Sequence, residues 1–100
     1  MPSMTVKLLP IAQDDVDQAL AYIAADNPDA ADALLEDILK KLAQAAELPG
    51  SGAEIVVGKR VVRKYYRLCA HPYNIFYRIM GDAVLVMRVL HERMDLKGRL

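Results

Sequence analysis

The residues best equipped for chemistry lie in the second half of the chain. Lys59, Arg60, Arg63, Lys64, Tyr65, Tyr66, Arg67, Tyr73, Tyr77 and Arg78 interleave cations with phenolic rings. Guanidinium groups bind phosphate or carboxylate bidentately, and a tyrosine ring can stack on a nucleobase. The pattern points to an anionic ligand, nucleic acid or acidic peptide, although alternating Arg and Tyr is also how an exposed strand reads. His91 with Arg78 and Arg93 offers a second chemistry. A histidine can move a proton while two arginines steady developing charge in phosphodiester cleavage. A lone histidine near a strand end also serves structural roles.

Other chemistries are poorly provided for. Two histidines, His71 and His91, and one cysteine show no paired-ligand spacing, so no metal is expected, and no cofactor. Ser3 and Ser51 are the only serines and both fall in loop-like sequence, which argues against a Ser/His/Asp triad. No glycine-rich phosphate loop precedes a helix. Cys69 cannot form an internal disulfide and reads as a small buried apolar residue in a strand. A reducing, cytoplasmic setting is expected, with no membrane partner, because no apolar run spans a bilayer and no signal peptide is evident.

The charges sum to zero but are sorted. Residues 1–58 hold three basic side chains against ten acidic ones, and residues 59–100 hold ten basic against three acidic. A basic block that also reads as strand suggests a surface that meets polyanions or an acidic partner. With 100 residues, 54% hydrophobic and 26% charged, the chain should form one soluble globular domain spanning residues 1–100.

Those residues must be held by a small set of elements. Met4–Leu9 reads as a first strand closed by Pro10. A helix follows, with Asp14, Asp15 and Asp17 in its first turn and an end near Asp26. Asn27-Pro28 marks a second helix, Asn27 as cap and Pro28 at the first position. Its apolar stripe is Ala31, Leu34, Leu35, Ile38, Leu42 and Ala45. So short a link predicts an antiparallel helical hairpin. After Pro49-Gly50-Ser51-Gly52 the period changes to two, with strands expected at Val61–Cys69, Tyr73–Met80 and Ala83–His91. Ile55–Val57 reads as an extra strand or an extended lead-in. Met94–Leu100 reads as a turn or frayed end. The fold class is therefore α+β in the order β-α-α-β-β-β, the hairpin lying on one face of a mainly antiparallel, twisted sheet.

A two-residue Gly81-Asp82 turn would oppose Met80 to Ala83 and set the faces of the last hairpin. Tyr73, Ile75, Tyr77, Ile79, Val84, Val86, Arg88 and Leu90 would lie under the helices. Asn74, Phe76, Arg78, Met80, Leu85, Met87, Val89 and His91, with Arg93 beyond, would share the other face. Arg88 is a misfit among the inner residues. It needs a carboxylate from the helices, a place at the rim, or a register shifted by one.

Several stretches together resemble the RelE/ParE superfamily of bacterial type II toxins, over about Thr5 to Leu96. They are Ala21-Tyr22-Ile23-Ala24 with the Asp26–Asp32 link, Tyr73–Ile79 followed by Gly81-Asp82, and Val84–Leu96. Their order and spacing are more similar to the ParE branch than to the RelE branch. The resemblance implies a toxin that inhibits DNA gyrase by binding and is neutralised in a hetero-oligomer with a cognate antitoxin. RelE-like members instead cleave ribosome-bound mRNA. That branch commonly carries an arginine where this chain has Asn74, and a late tyrosine or histidine, whereas no tyrosine follows Tyr77. Its late basic position resembles Arg93. The expected partner contacts are Arg60, Arg63, Arg67, Arg78, His91 and Arg93, acting as charge and hydrogen-bond donors with no catalytic residue. In the ribonuclease alternative, Arg78 and Arg93 would steady phosphate and His91 would move a proton. A third reading is a partner-binding module of the same fold without toxicity. Direct nucleic-acid binding is left open.

Overall fold

Proline 10 opens a helix rather than merely ending a strand. Its ring pre-sets the helical φ and its missing N–H is not needed at the first position, so the helix runs Pro10–Ala24 (α1). Asp14, Asp15 and Asp17 consequently sit beyond the first turn, not in it as expected. The computed structural model describes residues 4–57, 63–94 and 96. Thr5–Leu8 (β1) precedes α1, and Pro28–Glu47 (α2) follows it. The Asn27 side chain accepts a hydrogen bond from the Ala30 amide at 3.1 Å, the predicted cap. A short turn at Pro49–Ser51 leads into Ala53–Val57 (β2), Arg63–Ala70 (β3), Tyr73–Met80 (β4) and Ala83–His91 (β5). The Ile55–Val57 stretch is thus a strand, one that starts two residues earlier.

The five strands form one sheet in the order β1-β5-β4-β3-β2, antiparallel except for β1 beside β5. The helices cover one face. Ala12 and Val16 of α1 and Leu34, Ile38 and Ala45 of α2 pack onto Leu68, Ala70, Ile75, Tyr77, Val84, Val86 and Val89. At the β4–β5 turn Gly81 alone has a positive φ, +63°, as a two-residue turn with glycine first requires. Met80 pairs with Ala83, as expected.

The register then departs from the simple alternation. Tyr77 pairs with Val86 but Phe76 pairs with Arg88, leaving Met87 as an extra residue in β5. The bulge reverses the alternation from Val89 onward, while the Arg88 side chain still reaches the helix side. Val89 therefore joins the core beneath the helices. Leu90 moves to the outer face, where it clusters with Tyr65, Phe76 and Leu96. Both placements reverse the expectation. Leu96 is only 6% exposed, and the rest of the tail expected as a turn or frayed end, Asp95 and residues 97–100, lies outside the described residues. Cys69, expected to be buried, lies exposed on the outer face, because its neighbours Leu68 and Ala70 take the inner positions.

A carboxylate from the helices, the first of the three expected ways out, satisfies Arg88. Its Nε donates to Asp15 Oδ2 at 2.8 Å and its Nη2 to Oδ1 at 2.9 Å. Asp15 Oδ2 additionally accepts the Val89 amide at 3.0 Å. One carboxylate on α1 thus satisfies a guanidinium and a backbone N–H just past the irregularity in β5. Each side chain retains 13% exposure. The pairing holds the Arg88 guanidinium above its ordinary pKa, chiefly through the hydrogen bond to Asp15 and against the effect of burial.

Candidate docking face

Residues i, i+2 and i+4 of a strand share a side. Arg63, Tyr65, Arg67 and Cys69 of β3 therefore stand on the face opposite the helices, as Asn74, Phe76 and Arg78 of β4 do. Ala53 and Ile55 of β2 join them through their pairing with Arg67 and Tyr65. Lys7 of β1 does so through Leu85. Among the described strand residues this outer face carries four cations, Lys7, Arg63, Arg67 and Arg78, and no carboxylate. Arg63 and Arg67 are exposed. The Arg78 guanidinium lies 5.8 Å from the centroid of the buried Tyr65 ring, a cation–π contact that leaves it half-buried.

Not every basic residue contributes. Lys64 points to the helix side, where its Nζ is 3.7 Å from Glu54. Arg88 is committed to Asp15. Arg60 lies outside the described residues. His91 does not share the outer face, because the bulge places it with Tyr73 on the helix side, edge-on to that ring at 5.4 Å between centroids. Its Nδ1 accepts the Arg93 backbone amide at 3.2 Å, which leaves Nε2 as the protonated nitrogen of the neutral ring. Arg93 is exposed in the turn after β5.

These placements separate Arg78 from His91, two of the three groups needed for phosphodiester cleavage. His91 pairs with Tyr73, and Arg78 lies five residues further along β4. Five residues of strand span about 16 Å, and an odd separation puts the two on opposite faces. Asp15, Tyr22, Tyr73, Arg88, His91 and Met94 line a shallow cleft of about 280 Å³ beside α1. Its opposite charges, Asp15 and Arg88, are paired with each other, and its other walls mix the Gln18 amide with aliphatic, aromatic and thioether groups. Burial raises the Tyr73 phenol above its ordinary pKa, with Tyr22 adding to the effect. Among the described residues no cluster of three or more potential metal ligands is present.

A buried tyrosine steadies the entry to β2 and β3. Tyr77 donates its hydroxyl to the Pro49 carbonyl at 2.6 Å, and Tyr66 stacks on its ring at 5.5 Å. Burial raises the Tyr77 phenol, the Gly52 backbone opposes that shift, and Tyr66 adds to it. A Cβ at Gly52 would lie 2.7 Å from that hydroxyl and 2.9 Å from the Arg67 carbonyl oxygen. The glycine is therefore required by close approach. Sequence reasoning overlooked the contributions of Asp15 and of Ala53, the small residue beside Arg67. Only the bare alternation of Arg63, Tyr65 and Arg67 signalled that these three belong to one face.

Over residues 6–96 the chain matches the family model described as the ParE toxin of type II toxin–antitoxin systems, parDE. A chromosomal ParDE toxin–antitoxin system from P. aeruginosa includes a chain of similar structure, with a TM-score of 0.70 and 18% identity, covering 89% of this chain and 96% of that one. A copper-bound mutant toxin from Helicobacter pylori is more distant, with a TM-score of 0.56 and 15% identity, covering 91% of this chain and 99% of that one. At such identities the likeness to both structures establishes the fold alone. No curated protein matches the chain.

Proposed function

Because this chain belongs to the ParE toxin family of type II toxin–antitoxin systems, we propose that it acts by binding and inhibiting DNA gyrase, and that a cognate antitoxin neutralises it. The observation that favours binding over cleavage is the separation of His91 from Arg78 by the sheet itself. General acid–base catalysis needs the proton-transferring group within hydrogen-bond reach of the reacting atoms. Arginines on the other side of a sheet do not serve that centre. The same arginines, facing outward and without a carboxylate partner among the described residues, suit a docking role.

In this reading Arg63, Arg67 and Arg78 are the principal partner contacts, and Arg93 extends them beyond the end of β5. His91 moves from the docking set to a structural one. Lys7, Arg63, Arg67 and Arg78 attract acidic segments, chiefly accelerating encounter and selecting the partner. The antitoxin forms a hetero-oligomer with the toxin by covering this face. Action on gyrase implies a cytoplasmic setting.

Purified protein is to be assayed for inhibition of gyrase supercoiling and for cleavage of mRNA on translating ribosomes. Inhibition without cleavage is expected, and added antitoxin should relieve it. Ribosome-dependent cleavage that vanishes in His91→Ala would overturn the proposal in favour of a ribonuclease. Silence in both assays, with antitoxin binding retained, would identify a non-toxic binding module.

A further inference from the structure

We propose that the free edge of β2 accepts an added strand from the neutralising partner, one with acidic residues two positions before and two after an apolar residue. The inference rests on the reading that an antitoxin covers this toxin, and it specifies where and by what chemistry.

The last strand in the sheet order is β2, and among the described residues no other backbone pairs with its outer side. A row of open N–H and C=O groups is a template for another strand. The usual protections are absent. There is no proline in Ala53–Val57. The one charged residue, Glu54, faces the helix side and is engaged by Lys64. At the other edge of the sheet, β1 is only four residues long, runs into Pro10, and has Lys7 as its single cation.

The register supplies the side-chain code. Ala53 pairs with Arg67 and Ile55 with Tyr65, and these pairs belong to the outer face, while the Val57 backbone pairs with Arg63. A strand laid along β2 stands two strand spacings from β3, about 9.6 Å. An acidic side chain opposite Ala53 and the exposed Arg67 guanidinium can bridge that gap, since only a methyl group lies between them. Among the described residues Arg67 has no carboxylate partner to displace. Ile55 packs against the cluster that contains Tyr65, so an apolar residue opposite it extends that cluster. Arg63 lies four residues from Arg67, which sets the second acidic position. The pattern acid, any, apolar, any, acid reads the same in both directions, so it holds for parallel or antiparallel addition. A phosphodiester chain would satisfy the arginines but not the open backbone groups of the edge, which favours a peptide over RNA.

The test uses the full chain and the peptide acetyl-Thr-Glu-Thr-Ile-Thr-Glu-Thr-amide, with amide NMR titration and hydrogen exchange at low salt. Binding should slow exchange in residues 53–57. Arg67→Glu should weaken it by about fivefold, and the same peptide with Lys in place of Glu should bind that variant better than the wild type. N-methylation along one of the two backbone edges of the peptide should abolish binding. Unprotected β2 amides, equal binding of the Lys peptide to wild type, or protection of those amides by single-stranded RNA instead would overturn the proposal. An antitoxin that neutralises the toxin yet leaves β2 unprotected overturns the edge assignment alone. Failure of any antitoxin to bind overturns the reading beneath it.

Discussion

Replacing Asp15 with alanine should unfold this protein far more readily than its position on a helix surface suggests. The carboxylate accepts two hydrogen bonds from Arg88 and one from the Val89 amide, at 2.8, 2.9 and 3.0 Å. Removing one partner of a buried ion pair costs about 3–5 kcal/mol, because the remaining charge loses its hydrogen-bonded counter-ion. Both side chains here keep 13% exposure, so the lower end applies. The Val89 amide adds a further penalty of about 1 kcal/mol if water does not replace its acceptor. A loss of about 3–4 kcal/mol is expected, a large share of the roughly 5–15 kcal/mol that holds a domain of this size together. The melting temperature should fall by about 15 °C, read by circular dichroism. Asp15→Asn should fall between wild type and Asp15→Ala, since its carbonyl can still accept from Val89. Urea titration of Asp15→Ala, Arg88→Met and the double variant should return a coupling of about 1–3 kcal/mol. Additive effects, or a shift below about 3 °C in Asp15→Ala, would refute the account of the bulge as a site tied down by α1.

Gly52→Ala should destabilise the protein by about 2 kcal/mol in the same titration, because its Cβ would press on the Tyr77 hydroxyl and the Arg67 carbonyl. Tyr77→Phe should cost about 1 kcal/mol at neutral pH through loss of the hydrogen bond to Pro49. Tyr73 and Tyr77 both have folded-state phenols raised above the ordinary value of 10.0, so their contribution is fully present below that pH. It is lost as pH rises through the raised folded values, since the unfolded chain ionises first. Tyr77→Phe should therefore flatten the alkaline limb of a stability–pH curve, while leaving the acid limb unchanged. Leu96→Ala should lower stability by about 2 kcal/mol, the low end for a buried leucine, because it opens the cluster of Tyr65, Phe76 and Leu90. His91→Ala should leave gyrase inhibition within about twofold of wild type, and a larger loss would return His91 to the docking set.

Local rules made much of this architecture readable from the chain. Asn27-Pro28 could be recognised as a helix start because capping and the proline ring act within a single turn. Gly81-Asp82 could be recognised as a tight turn because only glycine adopts its backbone angle at little cost. The change of period after Gly52 separated helices from strands, and the order of the motifs identified the family. The alternation of Arg63, Tyr65 and Arg67 placed three groups on one face. The bulge at Met87 had only the misfit of Arg88 as a signal, and a helix carboxylate explained that equally well. Val86, Met87, Val89 and Leu90 are all apolar, so neither register of β5 exposes an obvious error. What meets β5 just past the irregularity is Asp15, 73 residues away from Arg88, whose oxygens accept from both a guanidinium and an amide there. The one-residue offset moved His91 away from the arginines and brought Val89 under the helices. Sequence alone thus determined which segments exist and which charges they carry, because those depend on neighbouring residues. Which charges meet, which edge stays open and which histidine is left out were decided by strand pairing, where a shift of one residue reverses a face.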